Sequence, residues 1–333
     1  MPAELKIGTR GSQLALFQAN WVKEQLARAH PDLKVTLVKI KTTGDKIQDA
    51  PLAKIGGKGL FVKEIEEALL QKRIDLAVHS IKDVPTEFPK GLHLSAITKR
   101  EDPRDVLIAN DGRSLRDLPQ GAKIGTSSLR RQAQLLHFRG DFELIPLRGN
   151  LDTRLKKLKT MNLDGIVLAL AGVKRLGFEE RITEIIPLEV SLPAIGQGAL
   201  GIETRMADQE VESRIRFLID RDSSIAVRAE RAFLGKLEGG CQVPIAAFAR
   251  ILTTTLQIDG LVGTTDGKKL IRHHVEGPVE KAESLGVELA EILLGEGAKG
   301  ILDEVYQRAQ PTISINNDEE ISRRKTNPDH PNP

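Results

Sequence analysis

Across the first two hundred residues, short β-branched runs alternate with segments whose apolar residues recur every three to four positions. That alternation constrains the fold more than any other feature, because it builds stacked βα units around mostly parallel sheets. Strands are predicted over residues 5–9, 35–41, 74–79, 106–110, 123–126, 143–147 and 166–170, with helices over 12–29, 58–71, 128–138, 151–161 and 209–218. After Asp220 the rhythm changes. A helix over 223–237 precedes strand patterns at 245–250, 256–262 and 270–275, with Asp266-Gly267 as a tight hairpin turn, and helices over 279–294 and 298–309 follow. The chain is read as α/β: two βα lobes and a smaller α+β C-terminal domain, consistent with 333 residues making two or three domains. The charged, proline-bearing segment 98–104 and the segment 187–198 are the expected breaks where the lobes meet.

Several classes of function drop out. The longest apolar run, 166–173, is far too short to span a bilayer, and residues 1–10 lack the apolar stretch of a secretory signal, so a cytoplasmic protein is expected. A single cysteine excludes a disulfide framework and a Cys-rich metal site. The net charge of +3, with nine Phe, one Trp and one Tyr, is too balanced and too poor in stacking platforms for a chain built to coat nucleic acid. Residues 311–333 carry little apolar surface and are expected to be a disordered tail.

The informative residues sit where predicted strands run into helices. Arg10-Gly11-Ser12 follows the first strand, Gly125-Thr126-Ser127-Ser128-Leu129-Arg130-Arg131 another, and Arg148-Gly149-Asn150 a third, with Arg154 on the next helix. Backbone N–H groups, capping hydroxyls and guanidinium groups converge at such turns, which attract anions. Taken singly, each arginine reads as a solvated surface group. Together, with five arginines against three acids between Gly125 and Arg154, they favour a small polyanion bearing several carboxylates.

Other segments carry less on their own. Gly56-Gly57-Lys58-Gly59 is not a phosphate loop, because Leu52 and Gly59 stand where the motif needs a glycine and a Ser or Thr. The glycine-rich stretch 42–59, with Lys54 and Lys58, reads as a lid or an ordinary long loop. Lys82-Asp83 follows the strand at 74–79, and strand ends are where open α/β sheets bind ligands. A lysine beside it keeps Asp83 ionised and able to stabilise a cation formed during reaction. Cys241 follows Gly239-Gly240 in a loop and is either a small buried hydrophobe or a sulfur facing a cleft.

Taken in order, the motifs resemble those of the porphobilinogen deaminase (hydroxymethylbilane synthase) family. They are Ile7-Gly8-Thr9-Arg10-Gly11-Ser12, Gly56-Gly57-Lys58-Gly59-Leu60-Phe61, His79-Ser80-Ile81-Lys82-Asp83-Val84-Pro85, Gly125-Thr126-Ser127-Ser128-Leu129-Arg130-Arg131, Arg148-Gly149-Asn150 with Arg154, Arg175-Leu176-Gly177, Pro193-Ala194-Ile195-Gly196-Gln197-Gly198, Glu230-Arg231-Ala232-Phe233-Leu234 and Gly239-Gly240-Cys241-Gln242. The resemblance spans about residues 4–310.

It implies a transferase of tetrapyrrole and heme biosynthesis, in which a dipyrromethane cofactor on a thioether at Cys241 primes the stepwise addition of four porphobilinogen molecules. Each loses ammonia through an azafulvene-like cation, and hydrolysis frees linear hydroxymethylbilane. By the same resemblance Asp83 is catalytic, Lys82, Thr126, Ser128, Arg130 and Arg131 hold the cofactor, and Arg10, Ser12, Arg148, Arg154, Arg175 and Gln197 hold substrate and growing chain. Lys54 and Lys58 belong to the lid. No metal, nucleotide, nucleic acid or membrane is implied; uroporphyrinogen-III synthase is the expected downstream enzyme and the protein a monomer. The fold implied resembles type II periplasmic binding proteins, with lobe 1 at 1–99 and 199–219, lobe 2 at 104–193, and the attachment domain at 220–310. Two other readings compete: an anion-binding module of the same fold, which leaves Cys241 unexplained, and an enzyme with Cys241 or Lys58 as nucleophile.

Overall fold

In the computed structural model, residues 4–46, 59, 62–238 and 243–309 are described; Lys54, Lys58, Cys241 and the tail 311–333 lie outside the described residues. Strand β1 (Glu4–Thr9) buries Leu5 and Ile7 completely, and helix α1 (Gln13–Ala29) lays Ala19, Val22 and Leu26 over them, positions three and four apart. Each of the Leu, Ile and Val side chains contributes about 1.5–3 kcal/mol on leaving water. The Ser12 side chain caps α1, accepting from the Ala15 N–H at 3.3 Å, and the helix stops at His30, since the following Pro31 disfavours helical backbone before it. Strand β2 (Lys34–Lys39) joins β1 on one side in parallel. Helix α2 (Lys63–Leu70) covers the other face of the sheet with Ile65, Ala68 and Leu69 and leads into β3 (Leu76–Ser80), parallel to β1 on its other side. Strand β4 (Leu92–Ile97) ends this run.

The chain then crosses to a second sheet. Strand β5 (Asp105–Ala109) opens it, followed by β6 (Lys123–Gly125), α3 (Leu129–Phe138), β7 (Glu143–Ile145), α4 (Leu151–Thr160), β8 (Gly165–Ala169), α5 (Leu170–Arg175) and β9 (Glu184–Ile185). It crosses back and inserts β10 (Leu200–Arg205) between β3 and β4. The sheet orders are β2-β1-β3-β10-β4 and β7-β6-β8-β5-β9. In each, the reversed strand is the one that enters directly after a crossing, β10 or β5, antiparallel to both neighbours. The two sheets therefore share one plan, and both are mostly parallel, as the alternating rhythm predicts.

Helix α6 (Gln209–Ile215) returns over the first sheet, and α7 (Arg221–Lys236), capped by Asp220, enters the last unit. There β11 (Ile245–Leu252), β12 (Thr255–Gly263) and β13 (Leu270–Pro278) form an antiparallel meander. Helices α7 and α8 (Ala282–Leu293) cover one face of it with Phe233 and Leu289 against Ile258, all fully buried. A side chain at Gly286 would put a Cβ 2.1 Å from the Ala229 carbonyl oxygen, so glycine sets how closely α8 packs on α7. Helix α9 (Lys299–Ala309) closes the unit.

Candidate active site

Both lobes present the C-terminal ends of their parallel strands, and the charged residues gather there. In lobe 1, β1 ends at Thr9, so Arg10 and the capping Ser12 lie just beyond the C-terminal end of that strand, while β3 runs into a single helical turn, Ile81–Asp83. Arg10, Ser12, His79, Ser80 and Asp83 line one cavity. The Gln18 side-chain amide donates to Ser80 Oγ at 2.9 Å, fixing the wall beside the Asp83 turn.

In lobe 2, Ser128 caps α3. Its own N–H donates to Thr126 Oγ1 at 3.2 Å, and Ser127 Oγ donates to the Leu147 carbonyl at 3.0 Å, so the turn's hydroxyls hold its shape. Arg130 and Arg131 on the first turn of α3 are each 5 % exposed. Both fork onto Asp105 at the start of β5, donating at 2.8 Å to Oδ2 and Oδ1 respectively. Burial alone would raise the Asp105 pKa; the two guanidinium groups overcome it and hold the carboxyl well below the usual range. One carboxylate thus faces two buried cations, and Arg131 Nε has no hydrogen-bond partner.

The lobes meet electrostatically at this point. Burial pulls the Lys82 ammonium down to about 8; Asp83 and Asp105 oppose that shift, while Arg131 and Arg130 add to it. Burial likewise takes Arg154 down to about 10, helped by Arg131 and Arg148 and opposed by Asp83. Lys82 and Asp83 from lobe 1 and Arg130, Arg131, Arg148 and Arg154 from lobe 2 therefore share one field in which cations outnumber carboxylates. Asn150 caps α4, and Arg154 Nε donates to the Gly149 carbonyl at 2.9 Å. Arg175, at the end of α5, donates to the Gly198 carbonyl at 2.6 Å and so touches the second crossing.

Gln197 is 1 % exposed and stitches the crossings together: its amide donates to the Pro103 carbonyl at 2.6 Å and to Asp105 Oδ1 at 2.9 Å. Beside it, Gly196 has φ +67°, and a Cβ there would stand 2.0 Å from Ile81 Cγ2, directly under the Asp83 turn. The neighbouring Gly196 N–H donates to buried Glu230 at 2.6 Å. Glu230 also takes both Arg100 Nη atoms, at 2.5 and 3.2 Å, which ties the first crossing to α7.

Sequence reasoning missed Asp105, Glu203 and Glu66. Asp105 carried a usable signal, an acid immediately before a β-branched run, but only the fold shows that two arginines face it. His79 Nε2 and Glu203 Oε2 lie 2.9 Å apart in the sheet behind the cavity. Glu66 of α2 has its pKa raised to about 7, first by burial and then by the Glu203 charge, with His79 opposing.

These features define a two-lobed α/β protein in which basic side chains outnumber the Asp83 and Asp105 carboxylates where the strand ends of the two lobes meet. Residues 5–213 match the family profile described as porphobilinogen deaminase, dipyromethane cofactor binding domain, and residues 224–295 match its C-terminal domain. The chain belongs to the porphobilinogen deaminase family. Among its relatives, the porphobilinogen deaminase of Citrifermentans bemidjiense is 58% identical over 325 residues, covering 98% of each chain. That of Syntrophotalea carbinolica is 59% identical over 298 residues, 90% of this chain and 95% of the relative. Solved structures that resemble it include the periplasmic aliphatic sulphonate binding protein of Escherichia coli, at 15% identity, 72% and 71% coverage and a TM-score of 0.38. No helix among the described residues is long and apolar enough to cross a membrane.

Proposed function

We propose that this cleft carries out the family's reaction with the residues assembled above in distinct roles. The activity is that of hydroxymethylbilane synthase: four porphobilinogen molecules are joined head to tail with loss of ammonia, and water releases linear hydroxymethylbilane. The resident group of the family is a dipyrromethane, which brings two carboxylates on each of its two pyrroles. The residues here fit such a group. Lys82, Arg148, Arg154 and the buried Arg130 and Arg131 outnumber the carboxylates around the Asp83 turn, Arg131 Nε is an unpaired buried donor, and Ser128 and Thr126 add hydroxyls. Lys82, Thr126, Ser128, Arg130 and Arg131 would hold its carboxylates, with attachment at Cys241. Bound there, it supplies a nucleophilic pyrrole carbon to which units are added.

This chain's own side chains do the rest. Arg10 and Ser12 sit in one cavity with Asp83 and hold the acetate and propionate of the incoming porphobilinogen. Asp83 accepts the substrate's pyrrole N–H and offsets the positive charge that develops as ammonia departs. Arg148, Arg154 and Arg175 neutralise the carboxylates that accumulate, and arginine does so without titrating near neutrality. Gln197, whose amide is committed to Pro103 and Asp105, serves by holding Asp105 against the arginine pair. Lys54 and Lys58 belong to a lid over the cleft. The domain limits follow the same reading: 1–99 with 199–219, 104–193, and 220–310. The enzyme works as a monomer in the cytoplasm, and a uroporphyrinogen-III synthase consumes its product.

The observation that carries this reading is the gathering of Lys82, Arg148 and Arg154 with the buried Arg130-Arg131 pair around the Asp83 and Asp105 carboxylates. Intact mass of the purified protein, with peptide mapping of Cys241, tests the attachment. Two linked pyrroles on that peptide are expected, and an alkylatable Cys241 in a fully active enzyme would refute it. Asp83→Ala should keep its fold and its covalent group and lose nearly all turnover.

A further inference from the structure

Asp83 is held from two sides. Upstream, its turn is continuous with β3, and the Ile81 N–H donates to the Ala199 carbonyl at 3.1 Å. Downstream, residues 84–88 belong to neither helix nor strand, and Pro85 has no N–H to donate. The carbonyls of three consecutive residues there converge on one side chain from the C-terminal unit. Arg231 of α7 donates from Nη1 to the Val84 carbonyl at 3.2 Å, and from Nη2 to those of Pro85 at 2.6 Å and Thr86 at 3.1 Å. Its guanidinium also lies over the Phe88 ring, 5.5 Å from the centroid.

This arrangement is costly for a mere surface bridge. Burial lowers the Arg231 pKa with no carboxylate opposing it, and Arg231 has no ion pair among the described residues. Its charge is balanced by carbonyl dipoles and an aromatic face. A planar fork that meets three successive carbonyls fixes a backbone more tightly than one bond can, because it restrains orientation as well as distance. Cys241 lies ten positions further along the chain than Arg231.

We propose that Arg231 is a positioning residue for Asp83, setting where the catalytic carboxylate stands relative to the unit that carries Cys241. The proposal rests on the assignment of the charge-stabilising role to Asp83. Arg231 touches no substrate; it acts by holding the backbone that begins one residue after Asp83.

The test uses the full-length enzyme, loaded as purified, with kcat, KM, intact mass and thermal midpoint measured for each variant. Arg231→Gln should carry the covalent group at normal stoichiometry, keep KM within about twofold and lose about 10–100-fold in kcat, the size of effect expected when a reacting group is misplaced by about 1 Å. Arg231→Lys, which keeps the charge and can reach fewer carbonyls, should recover part of that loss. Arg205→Gln is the structural control. Arg205 donates to the carbonyls of Leu69 and Ile74, away from the cleft, and its loss should lower the thermal midpoint while leaving kcat unchanged.

A loaded Arg231→Gln enzyme with kcat within twofold of the parent overturns the proposal. So does a kcat loss that Arg205→Gln reproduces at an equal drop in thermal midpoint, or an Arg231→Gln protein that carries no covalent group. If the glutamine variant fails to fold, Arg231→Lys decides, and full kcat in that variant overturns the proposal. Asp83→Asn is run in parallel. High activity there removes the role of Asp83 itself, whereas an inactive Asp83→Asn beside a fully active Arg231→Gln removes only the role of Arg231.

Discussion

Replacing Glu66 with glutamine should stabilise this protein, and only above the pH at which free glutamate ionises. Glu66 sits 8 % exposed on α2, and burial and the Glu203 charge raise its pKa from 4.5 to about 7. Between those values the folded state binds a proton that the unfolded chain has released, so stability falls as pH rises through the interval. The difference corresponds to a ceiling of about 3 kcal/mol, and solvent screening trims it to about 1–2 kcal/mol. Glutamine keeps the shape and cannot ionise. Urea unfolding at pH 5 and pH 8 should therefore find variant and parent similar at pH 5, with the variant ahead by about 1–2 kcal/mol at pH 8. His79 and Glu203 are the other titratable groups facing Glu66, so His79→Gln should leave the sign of the effect unchanged. A stability difference between Glu66→Gln and parent that is the same at both pH values would refute the reasoning.

Two further perturbations probe the frame of the cleft. Asp105→Ala removes the carboxylate that both Arg130 and Arg131 fork onto, leaving two buried cations, and should cost about 3–5 kcal/mol in urea unfolding at neutral pH. Because the Asp105 pKa is held below its ordinary value, its contribution is complete above about pH 4 and drains away as pH falls further, so the parent should lose stability in acid more steeply than Asp105→Ala. Gly196→Ala forces a side chain at φ +67° into Ile81, 2.0 Å from its Cγ2, and should cost at least about 2 kcal/mol. Since Ile81 opens the turn that bears Asp83, kcat should fall as well, and an alanine variant of normal midpoint and normal kcat would contradict the contact.

The rhythm of the sequence placed β1, β2, β3, β5, β6, β7 and β8 within a residue or two, because parallel strands buried on both faces read as compact apolar runs such as Gly165–Ala169. It did not mark β4 or β10, nor β9, two residues long, nor α5, whose Leu170–Arg175 continues an apolar run with no polar break. Which sheet β10 joins is a matter of long-range pairing, and periodicity along a strand is silent about its partner. The capping roles of Ser12, Ser128 and Asn150 were legible as polar residues between a strand and a helix. The arginine turns were legible as a local excess of charge. Their counter-charge was not, since β5, the connection after it, β6 and the turn into α3 all lie between Asp105 and the Arg130-Arg131 pair.

The shared sheet plan also bears on synthesis. Strands β3 and β4 never touch each other; each pairs with β10, whose first residue is made about a hundred positions after the last residue of β4. At about 5–20 residues per second, the nascent N-terminal sheet waits roughly 5–20 s with two unpaired edges facing the gap. During that interval the entire second sheet is translated. Bare strand edges of this kind invite pairing with other chains until β10 arrives, and a message truncated before codon 200 encodes a first sheet that lacks the strand joining β3 to β4.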